Sequence, residues 1–504
     1  MAERNNNPVR RRPLLYAALA AVTAVTVVLG VLAWQNPGGS GDEPKAGKTP
    51  QSGPAGTAPQ ADFDRDGHAD LAASSDFTDH VAVTYGGDGD KRRGQRLSLD
   101  SPGVPGKQQR GVSFGDNPVT GDFDGDGYTD LAVDVSSSRK KNRTARGGVM
   151  FVWGSPDGLR DGTYVQGVPR GFDLNGNGPH TLTAADFDGD RHVDLLWKVS
   201  GERALLKGPF TRDGDPSGTD DVPAPAARKD ADLIQTLAAD LDGDGVAELM
   251  SVHGYTEDDM TGGVTTSYLP SGKDGFGKPE KDRLPGISTA TTGDVDKDGY
   301  PDLIMHRHPE NSPPDGGTPG PVEVFHGSGD GPEKSPRTRI DRGTEGVPGK
   351  KEEPDSFGSA LDAGDVDGDG YADVVTGDSG ENLTATGEVK DGKTAGAVYL
   401  LRGGKDGLTG EKTQRVDQTT VDRPEKPGQD GFGDAVRLLD DNGDRKADLA
   451  VLAPKEDQVG RLRLLTGTRD GLTGKGGCSL GPEDHDVPRE RAKKDVGFAT
   501  RLVR

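Results

Sequence analysis

The chain has 504 residues, a formal net charge of −23 and one cysteine, Cys478. A single thiol excludes an internal disulfide framework, and so acidic a composition lacks the basic footprint that nucleic-acid recognition needs. The 78 glycines and 35 prolines are about a fifth of the residues, short of the roughly 25–30% that marks a low-complexity chain, so a folded, turn-rich protein is expected.

Residues 1–12 are a short tail ending in Arg10, Arg11 and Arg12. An uncharged apolar run follows, and residues 13–34 are expected to be a transmembrane anchor or a signal peptide. The run is long enough for ~30 Å of hydrocarbon, whereas signal-peptide cores are usually about 7–15 residues. A retained anchor with a cytoplasmic tail is therefore the first expectation. A segment cleaved after Val31-Leu32-Ala33, giving a secreted protein, is the second. Basic residues before the run and Asp42 and Glu43 after it put the body outside the cytoplasm. Residues 35–60, rich in Gly, Pro, Ser, Thr and Ala, read as a flexible linker.

From residue 61 to 504 one acidic loop recurs seven times: DFDRDGHAD (62–70), DFDGDGYTD (122–130), DFDGDRHVD (186–194), DLDGDGVAE (240–248), DVDKDGYPD (294–302), DVDGDGYAD (365–373) and DDNGDRKAD (440–448). The starts lie 60, 64, 54, 54, 71 and 75 residues apart, which is the mark of a repeat architecture. Carboxylates so crowded repel by about 4 kcal/mol per close pair at an effective dielectric near 20. A hard cation with many oxygen ligands relieves this, and calcium takes six to eight. The ligand positions of the loops account for 27 of the 84 acidic residues, four in each less Asn442. Calcium, about five to seven ions, is thus the expected cofactor, and it takes over the stapling that disulfides give many exported proteins.

Each loop precedes a short apolar strand such as LAVDV or LAVLA. A second strand opened by glycine or a polar residue follows, as in GGVMFVWG (147–154) and GAVYLLRG (396–403), and then a turn such as SPDGL or TRDGL. A strand carrying Phe-Gly at 114–115, 357–358 or 432–433 stands eight residues ahead of its loop, and with an outer strand such as TYVQGV the unit has four antiparallel strands. Seven such units predict an all-β fold, a seven-bladed β-propeller that closes on itself and so protects its edges. The first loop has no Phe-Gly strand before it, and the chain ends on GFATRLVR (497–504), which resembles GFGDAVRLL (431–439). The C-terminal strand is therefore expected to complete the first blade and close a monomeric ring.

The D-x-D-x-D-G-x-x-D loop, Phe-Gly before it and G-x-V-x-[VLF]-x-x-G after it, seven times in phase, resemble the FG-GAP (VCBS-type) repeats and the propeller of integrin α subunits across residues 62–504. The resemblance implies that loop positions 1, 3, 5 and 9 ligate calcium through side chains and position 7 through its carbonyl. It assigns Asp62, Asp64, Asp66, His68 and Asp70; Asp122, Asp124, Asp126, Tyr128 and Asp130; Asp240, Asp242, Asp244, Val246 and Glu248; Asp294, Asp296, Asp298, Tyr300 and Asp302; and Asp365, Asp367, Asp369, Tyr371 and Asp373. The third loop (Asp186, Asp188, Asp190, His192, Asp194) and the seventh (Asp440, Asn442, Asp444, Lys446, Asp448) are expected to bind less tightly. They place Arg191 and Arg445 where a glycine with positive φ is wanted, and Asn442 is neutral.

The face opposite the acidic hairpins is the one that contacts ligands in the integrin family. Here it receives the loops 305–320 and 377–395 and a basic loop with Arg139, Lys140, Lys141, Arg143 and Arg146, suited to an anionic polymer or else simply solvated. Trp153 and Trp197 read as blade core, and His306 and His308 share a strand face without further metal ligands. No nucleophile elbow, zinc-helix motif or triad spacing is present. The expected function is non-catalytic adhesion or recognition of a protein or glycan at the cell surface. The alternative is a calcium-dependent polysaccharide lyase or hydrolase with a site on the propeller face or channel.

Overall fold

The structure, a computed structural model, describes residues 61–74, 79–89, 91–109, 112–137, 148–166, 180–199, 202–225, 231–255, 264–307, 321–349, 356–380, 396–420, 430–489 and 499–503. The apolar run at 13–34, the linker at 35–60 and the basic loop from Arg139 to Arg146 lie outside these residues, as does most of the 305–320 and 377–395 loops. Among the described residues, no helix is long and apolar enough to cross a membrane.

Seven antiparallel sheets follow one another along the chain. In the second blade the strands run Val112–Gly121, Asp130–Ser137, Gly148–Trp153 and Arg160–Tyr164 from the inside outward, and the acidic loop joins the first to the second. Blades three, five, six and seven repeat this order, beginning at His180–Ala185, Ile287–Gly293, Ala360–Gly364 and Ala435–Leu439. The middle strands are apolar runs, such as Gly148–Trp153 and the part of Asp448–Ala453 that follows its acidic first residue, because both their faces are covered by neighbouring blades. Outer strands such as Arg160–Tyr164 meet solvent and are polar.

The fourth blade departs from the expected four strands. Ala231–Ala239, Glu248–Tyr255 and Thr265–Leu269 pair, and in place of an outer strand a single bridge joins Tyr268 to Glu280. The segment beyond it, GKDGFGKPEKDRLPG, carries two prolines that cannot donate to a ladder and four glycines that weaken one.

Seven hydrophobic clusters occupy the seven blade boundaries. One joins blades one and two through Val83, Tyr85, Phe114 and Met150, and another joins blade seven back to blade one through Leu452, Leu462, Leu71 and Ala82. The circle is therefore closed by packing as well as by the backbone. Phe114, Phe357 and Phe432 are fully buried in these clusters. The glycine after each has φ of 98°, 95° and 91°. A Cβ on Gly115 would lie 2.4 Å from Val81 Cγ2 and one on Gly433 would lie 2.5 Å from the Ala397 carbonyl oxygen. The Phe-Gly pair thus fills a blade boundary and lets the backbone pass close beside the next strand.

The C-terminus completes blade one as the sequence predicts. Arg501–Leu502 pairs antiparallel with Leu71–Ser74, with Leu502 opposite Ala73. Val503 N–H donates to the Ala72 carbonyl at 2.9 Å, and Ala61 bridges Asp70 on the same inner edge. The closure has a second part that sequence reasoning missed. After its last long strand the chain makes a short 3₁₀ turn, Pro482–His485, against blade one. There His485 Nδ1 lies 3.0 Å from the Gly481 carbonyl and Nε2 lies 2.8 Å from Thr84 Oγ1. A carbonyl only accepts, so Nδ1 carries the proton and Nε2 accepts from the threonine. Burial depresses the pKa of His485 and keeps the ring neutral.

Candidate metal centres

The seven acidic loops share one conformation, built from hydrogen bonds between their own carboxylates and backbone. The position-1 carboxylate accepts from the position-6 N–H in every loop: Asp62 from Gly67, Asp122 from Gly127, Asp186 from Arg191, Asp240 from Gly245, Asp294 from Gly299, Asp365 from Gly370 and Asp440 from Arg445. The position-5 carboxylate accepts from the N–H at position 7, as Asp126 does from Tyr128 and Asp244 from Val246. At position 9 of loops one, two, three, five and six, one oxygen accepts from position 2 and the other from the glycine that ends the third strand. In the second loop these bonds are Phe123 N to Asp130 at 3.0 Å and Gly154 N to Asp130 at 2.8 Å. That glycine is the one in the G-x-V-x-[VLF]-x-x-G pattern, so two sequence motifs meet at one carboxylate.

Arg191 and Arg445 hold φ of 72° and 68°, the left-handed geometry that the loop demands at position 6. The loop demands it at position 4 as well, where Gly125, Gly189, Gly243, Gly368 and Gly443 are joined by Arg65 at 57° and Lys297 at 61°. The departure expected at position 6 of loops three and seven is thus present, and loops one and five carry a further non-glycine residue in this geometry at position 4, which the sequence reading did not single out. The sequence signal was the glycine alternation itself, which recurs at position 4 as well as at position 6.

The chemistry of the donor set fits a divalent cation. Ligand oxygens of Asp240, Asp242, Asp244 and Glu248 lie within 4.8 Å of one another, as do those of Asp62, Asp64 and Asp66, of Asp122, Asp124 and Asp130, and of Asp186, Asp188 and Asp194. Oδ1 of Asp122, Oδ1 of Asp240 and Oε1 of Glu248 are buried and accept no hydrogen bond. A buried anionic oxygen without a donor is costly, and a cation at the loop centre would serve each of them. Burial pushes Asp70 up to about 8, Glu248 up to about 9, and Asp194, Asp373 and Asp448 up to about 7, with the other carboxylates of each loop adding to the rise. A bound cation acts in the opposite sense and favours the ionised forms.

Side-chain cations reach several loops. Arg93 Nη2 is 2.7 Å from Asp64, Arg212 pairs with Asp124 and Asp126, and Lys446 Nζ is 2.6 Å from Asp444. Lys207 lies 3.2 Å from Asp188, and Arg402 Nη1 lies 3.0 Å from both Asp367 and Asp373. Among the described residues no cation pairs with the four carboxylates of loop four, so the loop carrying a glutamate is the most open of the set. One further side chain joins a loop without having been singled out in the sequence. His326 approaches Asp296 and Asp302, whereas His306 is buried against Gly358 and His308 lies outside the described residues. Trp153 and Trp197 are core residues, as read.

Comparison with known proteins agrees with the motif reading. The FG-GAP repeat family matches residues 114–147 and 357–401. Integrin alpha-7 of Rattus norvegicus is 31% identical over 149 residues, a match that covers 27% of this chain and 12% of that protein. The chain therefore carries FG-GAP repeats in an integrin-like propeller and spans only a small part of that relative. Among solved structures, an Agrocybe aegerita lectin described for recognition of non-reducing terminal N-acetylglucosamine is 14% identical, with 70% of this chain and 91% of that chain covered and a TM-score of 0.36. A Bacillus licheniformis rhamnogalacturonan lyase is 15% identical, with 85% and 86% covered and a TM-score of 0.32. The exotype rhamnogalacturonan lyase YesX is 15% identical, with 80% and 72% covered and a TM-score of 0.35.

Proposed function

We propose that this FG-GAP-repeat propeller is an exported, calcium-held scaffold that recognises a protein or glycan without chemically changing it. The observation that carries the reading is the common geometry of the acidic loops, in which buried, donorless oxygens converge. In this reading the ions are structural ligands. A site whose Kd lies a hundredfold below ambient calcium adds about 2.7 kcal/mol, and a few such sites match the roughly 5–15 kcal/mol net stability of a folded domain. Calcium of that concentration is found outside the cytoplasm, which agrees with the export that the N-terminal sequence leads one to expect. The seven-fold ring then offers a rigid face whose variable loops supply specificity, a division between scaffold and loops that recognition proteins use widely.

The test is a thermal melt of the purified chain in millimolar calcium and in chelator, with bound metal counted by elemental analysis. Five to seven ions and a fall in Tm of ten degrees or more in chelator are expected, on the order of the shift that several kcal/mol gives. No bound ions and an unchanged Tm would leave the loops as self-supporting turns and remove the calcium reading. Incubation with acidic polysaccharides in calcium tests the second half. Saturable binding without new reducing ends or unsaturated products is expected, and catalytic turnover would replace the scaffold by a polysaccharide-active enzyme.

A further inference from the structure

The third strand of a blade ends beside its acidic loop, and in three blades the residue before the closing glycine reaches the loop carboxylates. In blades three and six that residue is Lys207 or Arg402. An ammonium or guanidinium has donors and no lone pair, so these groups neutralise the loop and cannot ligate an ion. In blade five the residue is His326, which is 2% exposed. Its Nδ1 lies 2.9 Å from Asp296 Oδ2 and 3.1 Å from Asp302 Oδ1. By strict hydrogen-bond geometry the buried Nδ1 has no partner, although Asp302 lies close enough to raise the pKa of the ring. The three donor atoms lie within 4.8 Å of one another.

We propose that the fifth loop is a mixed imidazole–carboxylate site that binds a first-row transition-metal ion through His326 Nδ1, Asp296 and Asp302. Calcium takes oxygen ligands, whereas an imidazole nitrogen added to carboxylates favours ions of the manganese-to-zinc series. Six donors at about 2.1 Å around an octahedral ion stand about 3.0 Å from their neighbours, which matches the two separations from Nδ1. Asp302 is fully buried and already accepts from Val295 N at 2.9 Å and Gly327 N at 3.1 Å, so its carboxylate is held in place before any ion arrives. The ring of His326 is packed beneath the turn of blade six, where a Cβ on Gly407 would lie 3.4 Å from its Cε1 and Nε2.

The proposal rests on the shared loop geometry and not on the occupancy of the other loops by calcium, and the two metals are counted separately. The full-length protein in millimolar calcium is loaded with cobalt(II), dialysed against calcium buffer, and analysed for both metals and for visible d–d absorption. One cobalt per chain is expected to remain, to be displaced by zinc, and to show an imidazole in its first shell by X-ray absorption at the cobalt edge. His326→Gln is expected to lower cobalt affinity at least about a hundredfold, the upper end of what loss of even an outer-sphere partner costs, with the remaining calcium count unchanged. Asp296→Asn serves as the second variant should the glutamine chain fail to fold. No cobalt retained by the wild type would overturn the proposal, as would cobalt without a nitrogen ligand or equal retention by both variants. Loss of calcium from every loop with cobalt still held would instead remove only the calcium reading.

Discussion

At the scale of single residues, the acidic loop sets two requirements that pull against each other. It must crowd carboxylates, and it must turn through two left-handed positions. Five loops meet the second requirement with glycine at position 6, while Arg191 and Arg445 stand there in the other two. A side chain in this conformation costs roughly 1–2 kcal/mol, and a guanidinium beside the ion site opposes its filling. Arg191→Gly removes both penalties and adds some unfolded-state entropy, about 0.4–1 kcal/mol in the other direction. The expected net effect is a gain of about 1 kcal/mol and tighter calcium at loop three, read as a raised Tm and a higher ion count at limiting calcium. Gly189→Ala should act with the opposite sign, since Gly189 has φ of 75° and a Cβ there would lie 3.0 Å from Val246 Cγ2. A glycine at 191 that left both readouts unchanged would mean that the loop relaxes around the arginine at no cost.

At the scale of elements, the inner edge of blade one is assembled from the two ends of the folded body. Ala61 holds one part of it and Arg501–Leu502 the other, while the 3₁₀ turn at Pro482–His485 fastens the approach through Thr84. Deleting residues 499–504 should unpair Leu71–Ser74 on its inner side and expose the cluster between blades seven and one. The expected result is a lower Tm for the whole ring, with faster hydrogen exchange along Leu71–Ser74. A truncated chain that melts like the full one would show that packing alone closes the circle. This strand was legible in the sequence because GFATRLVR repeats a pattern present elsewhere in phase. The acidic loops were legible for the same reason, since carboxylate spacing survives any change in the residues around it. His485 and His326 were not. Each is a lone histidine outside the repeated motifs, and its role arises from contacts with Thr84, 401 positions away, or with a loop more than twenty residues before it. The missing outer strand of blade four escaped notice for a related reason, because a four-strand average hides a segment whose prolines and glycines prevent pairing.

At the scale of the molecule, the acidic loops are joined to one another around the ring. The position-1 carbonyl of one loop accepts from position 8 of the next, as in Thr129 N to Asp62, Ala247 N to Asp186, Ala372 N to Asp294 and Ala447 N to Asp365, and Ala69 N to Asp440 closes the series from blade seven to blade one. A second set runs from the end of a third strand to the position-2 carbonyl of the preceding loop, through Ser155, Phe210, Ser328, Gly404 and Gly87. Anything that orders one loop therefore holds its neighbour. Among the described residues the position-8 bond is absent at two boundaries, between blades two and three and between blades four and five, and the second of these has the weaker remaining link. Position 8 of loop five is Pro301, which has no N–H to give to Asp240, and the remaining bond, Ser328 N to the Leu241 carbonyl, is the longest of its set at 3.3 Å. Blade four also lacks a full outer strand there. The ring should thus open first at this boundary when the ions are removed. Hydrogen exchange of the purified chain, followed as chelator is raised, is expected to release the Ser328 amide before those of Ser155, Gly404 and Gly87, with global unfolding following. Uniform release of all four would mean that the loops stand or fall together and that hydrophobic packing between blades four and five compensates for the bond that Pro301 cannot make.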